Sequence, residues 1–161
     1  MKRYLSVTII FALCLLLTSC SPAPRTELFD SPFRCELGWS FDSCDFRASF
    51  VCYRDQSNDF SMVLTSPPEL KGLSLERRAG KLSSYVGGAE SDCIPDLYLY
   101  LSTLLISSSP FHFISRASTR GIDALCYSRD QVNWYFSAAD GSPLGFDDGN
   151  TFFKIIWIEG A

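Results

Sequence analysis

A mainly β (α+β) fold, a strongly curved antiparallel sheet around one long helix, is what this sequence predicts, on three observations. Apolar and polar residues alternate in run after run between Phe33 and Glu159, the period of a strand with one buried face. The runs are joined by short segments of glycine, proline, asparagine and aspartate, the chemistry of tight turns between antiparallel neighbours. One stretch, Ile94 to Ile106, abandons that period and repeats its apolar residues at helical spacing.

Ahead of the fold, Lys2 and Arg3 precede an apolar run, Val7 to Leu17, broken only by Thr8. That run is shorter than the roughly 18 to 20 residues a membrane-spanning helix needs, and no positive block follows it, so it reads as an export signal over residues 1–19. The closing Leu17-Thr18-Ser19-Cys20 resembles a bacterial lipobox, which implies acylation of Cys20 and retention at the extracytoplasmic face of the cell membrane. An ordinary cleavage site that happens to hold a cysteine is the competing reading. Residues 20–32, with Ser-Pro-Ala-Pro at 21–24, read as lipid anchor and tether, and residues 33–161 as a single domain.

Without the signal the chain has 12 basic against 18 acidic residues, a balance of −6 that suits neither nucleic acid nor anionic headgroups. Cys35, Cys44, Cys52, Cys93 and Cys126 form an odd set with no Cys-x-x-Cys pair, which supports neither a zinc nor a redox motif. Their pairing cannot be read from spacing.

The elements follow in order. Phe33 to Phe41 alternates cleanly, and Cys44, Phe46, Ala48, Phe50 and Cys52 share one face of a second strand. Phe60, Met62 and Leu64 form a third. Ser66-Pro67-Pro68-Glu69-Leu70 cannot extend it, because two prolines remove ladder donors, and reads as a single helical turn. Leu73 to Glu76 and Leu82 to Val86 pair across Ala79-Gly80. In the helix, Ile94, Leu97, Tyr98, Leu101, Leu104 and Leu105 make one face, while Leu99, Tyr100 and Ile106 leave it apolar nearly all round, so burial on both flanks is expected. Phe111 to Ser118, Ile122 to Ser128, Val132 to Ala138, Leu144 to Phe146 and Thr151 to Glu159 complete nine or ten strands without an internal repeat.

Several of these turn residues resemble those of the lipoprotein-carrier-like (LolA-like) family, an incomplete antiparallel barrel that wraps a helical lid and shelters acyl chains. They are Phe60 to Leu64 leading into Ser66 to Glu76, then Tyr85-Val86-Gly87, then Asp140-Gly141-Ser142-Pro143-Leu144 before the last strand. The likeness spans residues 45 to 159 and is closest to the lipid-anchored members of Gram-positive bacteria. It implies a half-barrel whose cavity holds an acyl chain or lipidated protein. Two features differ: no long amphipathic helix opens this domain, and a domain acylated at Cys20 stays in place, as a receptor, local lipid-binding module or interaction domain would.

Catalytic chemistry is not supported. His112 is the sole histidine and alternates against Phe111 and Phe113, and no nucleophile elbow, phosphate loop or spaced calcium-ligand series occurs, so no enzyme activity, metal or cofactor is expected. Asp147-Asp148-Gly149-Asn150 reads as a hairpin turn, and Lys71, Arg77, Arg78 and Lys81 as a solvated strand edge. The candidate ligand-lining residues are Phe46, Phe50, Phe60, Met62, Leu64, Trp134 and Phe136, facing Leu97, Leu101 and Leu105. The same residues make an ordinary packed core equally well, since cavity and core share one alphabet. The sequence thus leaves two functions open: a hydrophobic-ligand binder, or a closed-core module that binds another envelope protein through a strand edge or loop.

Overall fold

The computed structural model describes residues 22–40, 47–55, 57, 59–91, 94–149 and 151–158. After a turn of 3-10 helix at Thr26–Phe29, the chain lays down β1 (Phe33–Ser40), β2 (Arg47–Arg54) and β3 (Phe60–Ser66). A second 3-10 turn at Pro68–Leu70 leads to β4 (Ser74–Arg78), β5 (Lys81–Val86) and β6 (Ala89–Ser91). Helix α1 (Asp96–Ile106) follows, then β7 (His112–Thr119), β8 (Ile122–Arg129), β9 (Val132–Ser137), β10 (Pro143–Asp147) and β11 (Phe152–Ile158).

All eleven strands belong to one sheet, in the order β6-β5-β4-β3-β2-β1-β11-β10-β9-β8-β7. Two meanders, β1–β6 and β7–β11, are joined where the first strand pairs antiparallel with the last, Leu37 opposite Ile155 and Trp39 opposite Phe153. The sheet is not closed; β6 and β7 are its edges. Those edges are consecutive in sequence, so the connection carrying α1 has to cross from one side of the sheet to the other. It crosses on the apolar face, burying Tyr98, Leu101, Ser102, Leu104 and Leu105. Among the described residues, no helix is long and apolar enough to cross a membrane.

Local chemistry explains the meanders. Ala79-Gly80, Gly87-Gly88, Arg120-Gly121 and Asp130-Gln131 each join two strands with positive φ at both residues, the backbone whose twist matches that of flanking antiparallel strands. The period-two pattern then puts Phe33, Cys35 and Leu37 of β1, Phe50 and Cys52 of β2, Phe60, Met62 and Leu64 of β3, and Trp134 and Phe136 of β9 in one buried cluster.

Four expectations need correction. The helix starts at Asp96 rather than Ile94, because Pro95 takes an extended conformation and serves as N-cap. It is not buried on both flanks: Leu99 is 47% exposed and Thr103 is exposed, since among the described residues nothing covers the side turned away from the sheet. Among the described residues the strands number eleven, because β6 is three residues long, too short to show a period. Finally, residues 20–32 are more than a tether: Thr26–Phe29 forms a 3-10 turn, and Phe29 is 1% exposed. The predicted positions Cys20, Cys44, Phe46 and Cys93 lie outside the described residues.

Gly145 on β10 faces β11 so closely that a Cβ there would sit 2.3 Å from the Phe153 carbonyl oxygen and 2.7 Å from the Phe152 ring. Gly145→Ala is therefore expected to lower stability by about 1–3 kcal/mol through overpacking. Gly38→Ala, whose Cβ would meet nothing nearer than 3.9 Å, is the matched control and should leave the urea midpoint unchanged or raised.

Candidate functional site

The core residues expected to line a cavity are packed against one another. Phe50, Phe60, Met62, Leu64, Leu101, Leu105, Trp134 and Phe136 are each at most 4% exposed and belong to one cluster, with Leu97 half-buried at its margin. The Phe50 ring meets Tyr98 of α1 edge-on at 5.4 Å. Trp134 lies 4.7 Å from Phe146, which stacks on Phe153 at 4.9 Å. Such ring spacings are those of a filled aromatic interior.

One end of this core has chemistry that sequence reasoning missed. Phe29 inserts among Trp134 at 5.2 Å, Trp157 at 5.4 Å, Phe111 at 5.9 Å and Phe33 at 6.2 Å. The backbone is fixed with it: Arg54 donates from Nη1 to the Phe29 carbonyl, and the Arg25 amide donates to the Gly141 carbonyl at 2.8 Å. A Cβ at Gly141 would come within 2.3 Å of the Ala23 carbonyl oxygen, so the incoming segment lies flat on the β9–β10 turn.

Arg129, at the end of β8, is 2% exposed beside this plug. Its guanidinium lies over the rings of Phe111 at 4.2 Å, Trp134 at 4.4 Å and Phe29 at 5.1 Å. Nη2 donates to the Leu104 carbonyl near the C-terminal end of α1, where the helix dipole favours a cation. Nε has no hydrogen-bond partner and lies 4.0 Å from an Asp130 carboxylate oxygen. Burial draws the guanidinium pKa down to about 10, opposed by Asp130 and Asp30, so it stays charged at neutral pH. Burial pushes the Asp130 carboxyl upward, but hydrogen bonds to Ser107 and Ser109 and the Arg129 charge outweigh it and leave the carboxyl below its usual range. Helix end, following loop and N-terminal segment thus converge on one arginine. Beside it a cleft of about 300 Å³ is lined by Thr26, Asp30, Ser109, Phe111, Tyr127 and Arg129.

Both missed residues had a signal. Leu125, Tyr127 and Arg129 alternate, which puts Arg129 on the core face of β8, and Leu28-Phe29 is an apolar pair in an otherwise polar, proline-rich stretch.

The opposite kind of surface occurs at β7. Its exposed residues include His112, Phe113 at 58%, Ile114 at 52%, Ser115 and Arg116, and across the hairpin Ile122 is 50% exposed. β7 pairs with β8 on one side only, with a register shift between Phe113 and Ser115. The other features singled out in the sequence serve local structure. Asp147 accepts from the Tyr135 hydroxyl at 2.5 Å and the Gly149 amide at 3.0 Å, and Asp148 from the Thr151 amide at 2.9 Å, as in a hydrogen-bonded turn. Arg78 pairs with Glu76 at 2.9 Å and Lys81 with Glu90 at 3.7 Å. Among the described residues, no group of histidine, cysteine, aspartate and glutamate has metal-holding geometry.

No protein-family model and no curated protein matches the chain. Solved structures do. A LolA superfamily protein from Nitrosomonas europaea superposes with a TM-score of 0.44 at 6% identity, over 80% of this chain and 84% of that one. MucB, in its complex with MucA(peri), superposes with a TM-score of 0.34 at 12% identity, over 81% of this chain and 50% of that one, so the chain spans half the length of that neighbour. No residue role or ligand is carried across from either.

Phe29→Ala is expected to lower unfolding free energy by about 3–5 kcal/mol, as for a large aromatic removed from a packed core. Chemical denaturation followed by tryptophan fluorescence checks it, because Trp134 and Trp157 both touch the lost ring. An unchanged midpoint would restore the tether reading of residues 20–32.

Proposed function

We propose that this chain is a non-catalytic module of the cell envelope, held at the extracytoplasmic membrane face by acyl chains on Cys20, and that it binds an extended acidic segment of a partner protein along β7. The observation that carries the reading is the state of that edge strand. β7 is eight residues long, about 26 Å of backbone, and among the described residues no strand lies on its outer side, where apolar side chains are open to solvent. Such an edge accepts an added strand, which gains main-chain hydrogen bonds from the edge and specificity from alternate side chains.

The charge selects the occupant. The stretch from His112 to Ile122 contains Arg116 and Arg120 and no acidic residue, although the chain as a whole is acidic. A second copy fits poorly, because any central antiparallel register of β7 on itself brings the two Arg116 residues within two positions of each other, and like charges so placed repel. An acidic strand with apolar residues alternating complements the net positive charge of this stretch and the exposed Phe113.

A second reading, a hydrophobic-ligand binder, is favoured by one observation: Phe111 and Arg129, which line the cleft, both lie against the Phe29 ring, so a chain-like ligand that displaced these side chains would reach the core. The filled packing of Phe50, Phe60, Met62, Leu64, Trp134 and Phe136 ranks it below the edge-strand reading.

Two experiments test the proposal. Metabolic labelling with palmitate should mark the chain and place it in the membrane fraction, and Cys20→Ser should abolish both; label retained in that variant would overturn the anchor. A synthetic peptide alternating glutamate and valine should slow hydrogen exchange of the β7 amides, weaken with added salt and fail against Phe113→Glu, a substitution that also gives up the edge-on contact with Tyr127, worth about 0.5–1.5 kcal/mol. Equal binding of a lysine–valine peptide, or unprotected β7 amides at saturation, would defeat the edge reading. Lipid mass carried by the detergent-free domain in native mass spectrometry would favour the second one.

A further inference from the structure

Three of the cysteines, Cys35, Cys52 and Cys126, lie among the described residues, buried and with free thiols, and the sheet sorts them. β1 and β2 pair with Cys35 directly opposite Cys52, and both side chains are 0% exposed on the core face. Directly opposed residues hold their Cβ atoms about 4.5–5.5 Å apart. A disulfide takes about 3.5–4.5 Å, so the ladder needs to close by only about 1 Å. A hydrogen bond with Cys35, followed by burial, holds the Cys52 thiol well above its ordinary range.

Cys126 cannot compete for either. It alternates with Leu125 and Tyr127 and therefore projects from the other face of the sheet, opposite Tyr135. β8 also stands four strands from β1 along the sheet, roughly 19 Å at the usual strand spacing.

We propose that Cys35 and Cys52 form a cross-strand disulfide when the exported chain meets a disulfide donor of the oxidised-dithiol class. The two thiols give up two protons and two electrons, one S–S bond forms, and the donor's disulfide is reduced to two thiols. Cys126 remains a thiol. Because both sulfurs are buried, exchange takes place while the β1–β2 pair is still open to solvent, and the finished bridge is sealed under α1. The bridge ties β1, the strand that joins the two meanders, to its neighbour. The proposal is independent of what β7 binds.

The test is peptide mapping of the full chain secreted from an exporting host, and of the same chain refolded with glutathione disulfide. Free thiols are blocked with N-ethylmaleimide at the moment of denaturation, and the chain is digested without reduction by trypsin and chymotrypsin, which separate Cys35 from Cys44 at Trp39 and Phe41. The expected product joins the Cys35 and Cys52 peptides and lacks two hydrogens, with Cys126 labelled. The linkage should resist dithiothreitol in the native protein, yield to it in urea, and survive Cys44→Ser. N-ethylmaleimide on both Cys35 and Cys52 after refolding, or either residue linked to Cys44 or Cys93, would overturn the proposal. The mapping is made on the wild-type chain, so the reading does not depend on any variant folding.

Discussion

The pairing of β1 with β11 is the contact on which the rest of the structure depends. Without it the chain is two meanders, one of six strands and one of five, each with an apolar face and no partner for it. With it, Leu37 meets Ile155, Trp39 stacks on Phe153 at 6.0 Å, and a single face becomes available for α1 to cover. Because the seam joins the first strand to the last, nearly the whole chain must be present before it closes. Such a non-local contact slows folding, and the early strands remain exposed while the later ones arrive.

The topology was legible to the degree that each strand carries its own period. β1, β3, β8 and β9 alternate over enough residues to be read directly, and the turns at Ala79-Gly80, Gly87-Gly88 and Arg120-Gly121 contain the glycine that positive φ favours. Asp130-Gln131 uses no glycine, yet Arg129 and Val132 on either side fix the hairpin. What could not be read has different causes: β6 is too short to show a period, an extended Pro95 delays the start of α1, and the docking of Phe29 is set by tertiary neighbours. Phe29 has no periodic context, and only the assembled ring of Trp134, Trp157, Phe111 and Phe33 gives it a place.

The candidate site divides in the same way. Composition identified the right side chains as interior, and the register of β2, β3 and β9 accounts for Phe50, Phe60, Met62, Leu64, Trp134 and Phe136 sharing a face. Whether those residues enclose space or fill it depends on how far α1 sinks into the sheet, which no residue type encodes. Arg129 illustrates the complementary problem. A charge buried among rings is stable only with its carbonyl, its carboxylate and its ring faces all in place, and these come from α1, the β8–β9 turn, β9, the N-terminal segment and the loop after the helix. A linear pattern shows the arginine on the core face and cannot show the partners that make it tolerable there.

The bond from the Arg25 amide to the Gly141 carbonyl also has a geometric consequence for the assembled protein. It fixes the chain to the domain only five residues after Cys20, and five residues reach at most about 17 Å when fully extended. With Cys20 held in a bilayer as proposed, the leash is too short for the domain to roam. The β9–β10 turn and the Phe29 end then stay next to the lipid headgroups, and the domain is presented to its surroundings in a restricted set of orientations rather than as a freely tumbling body.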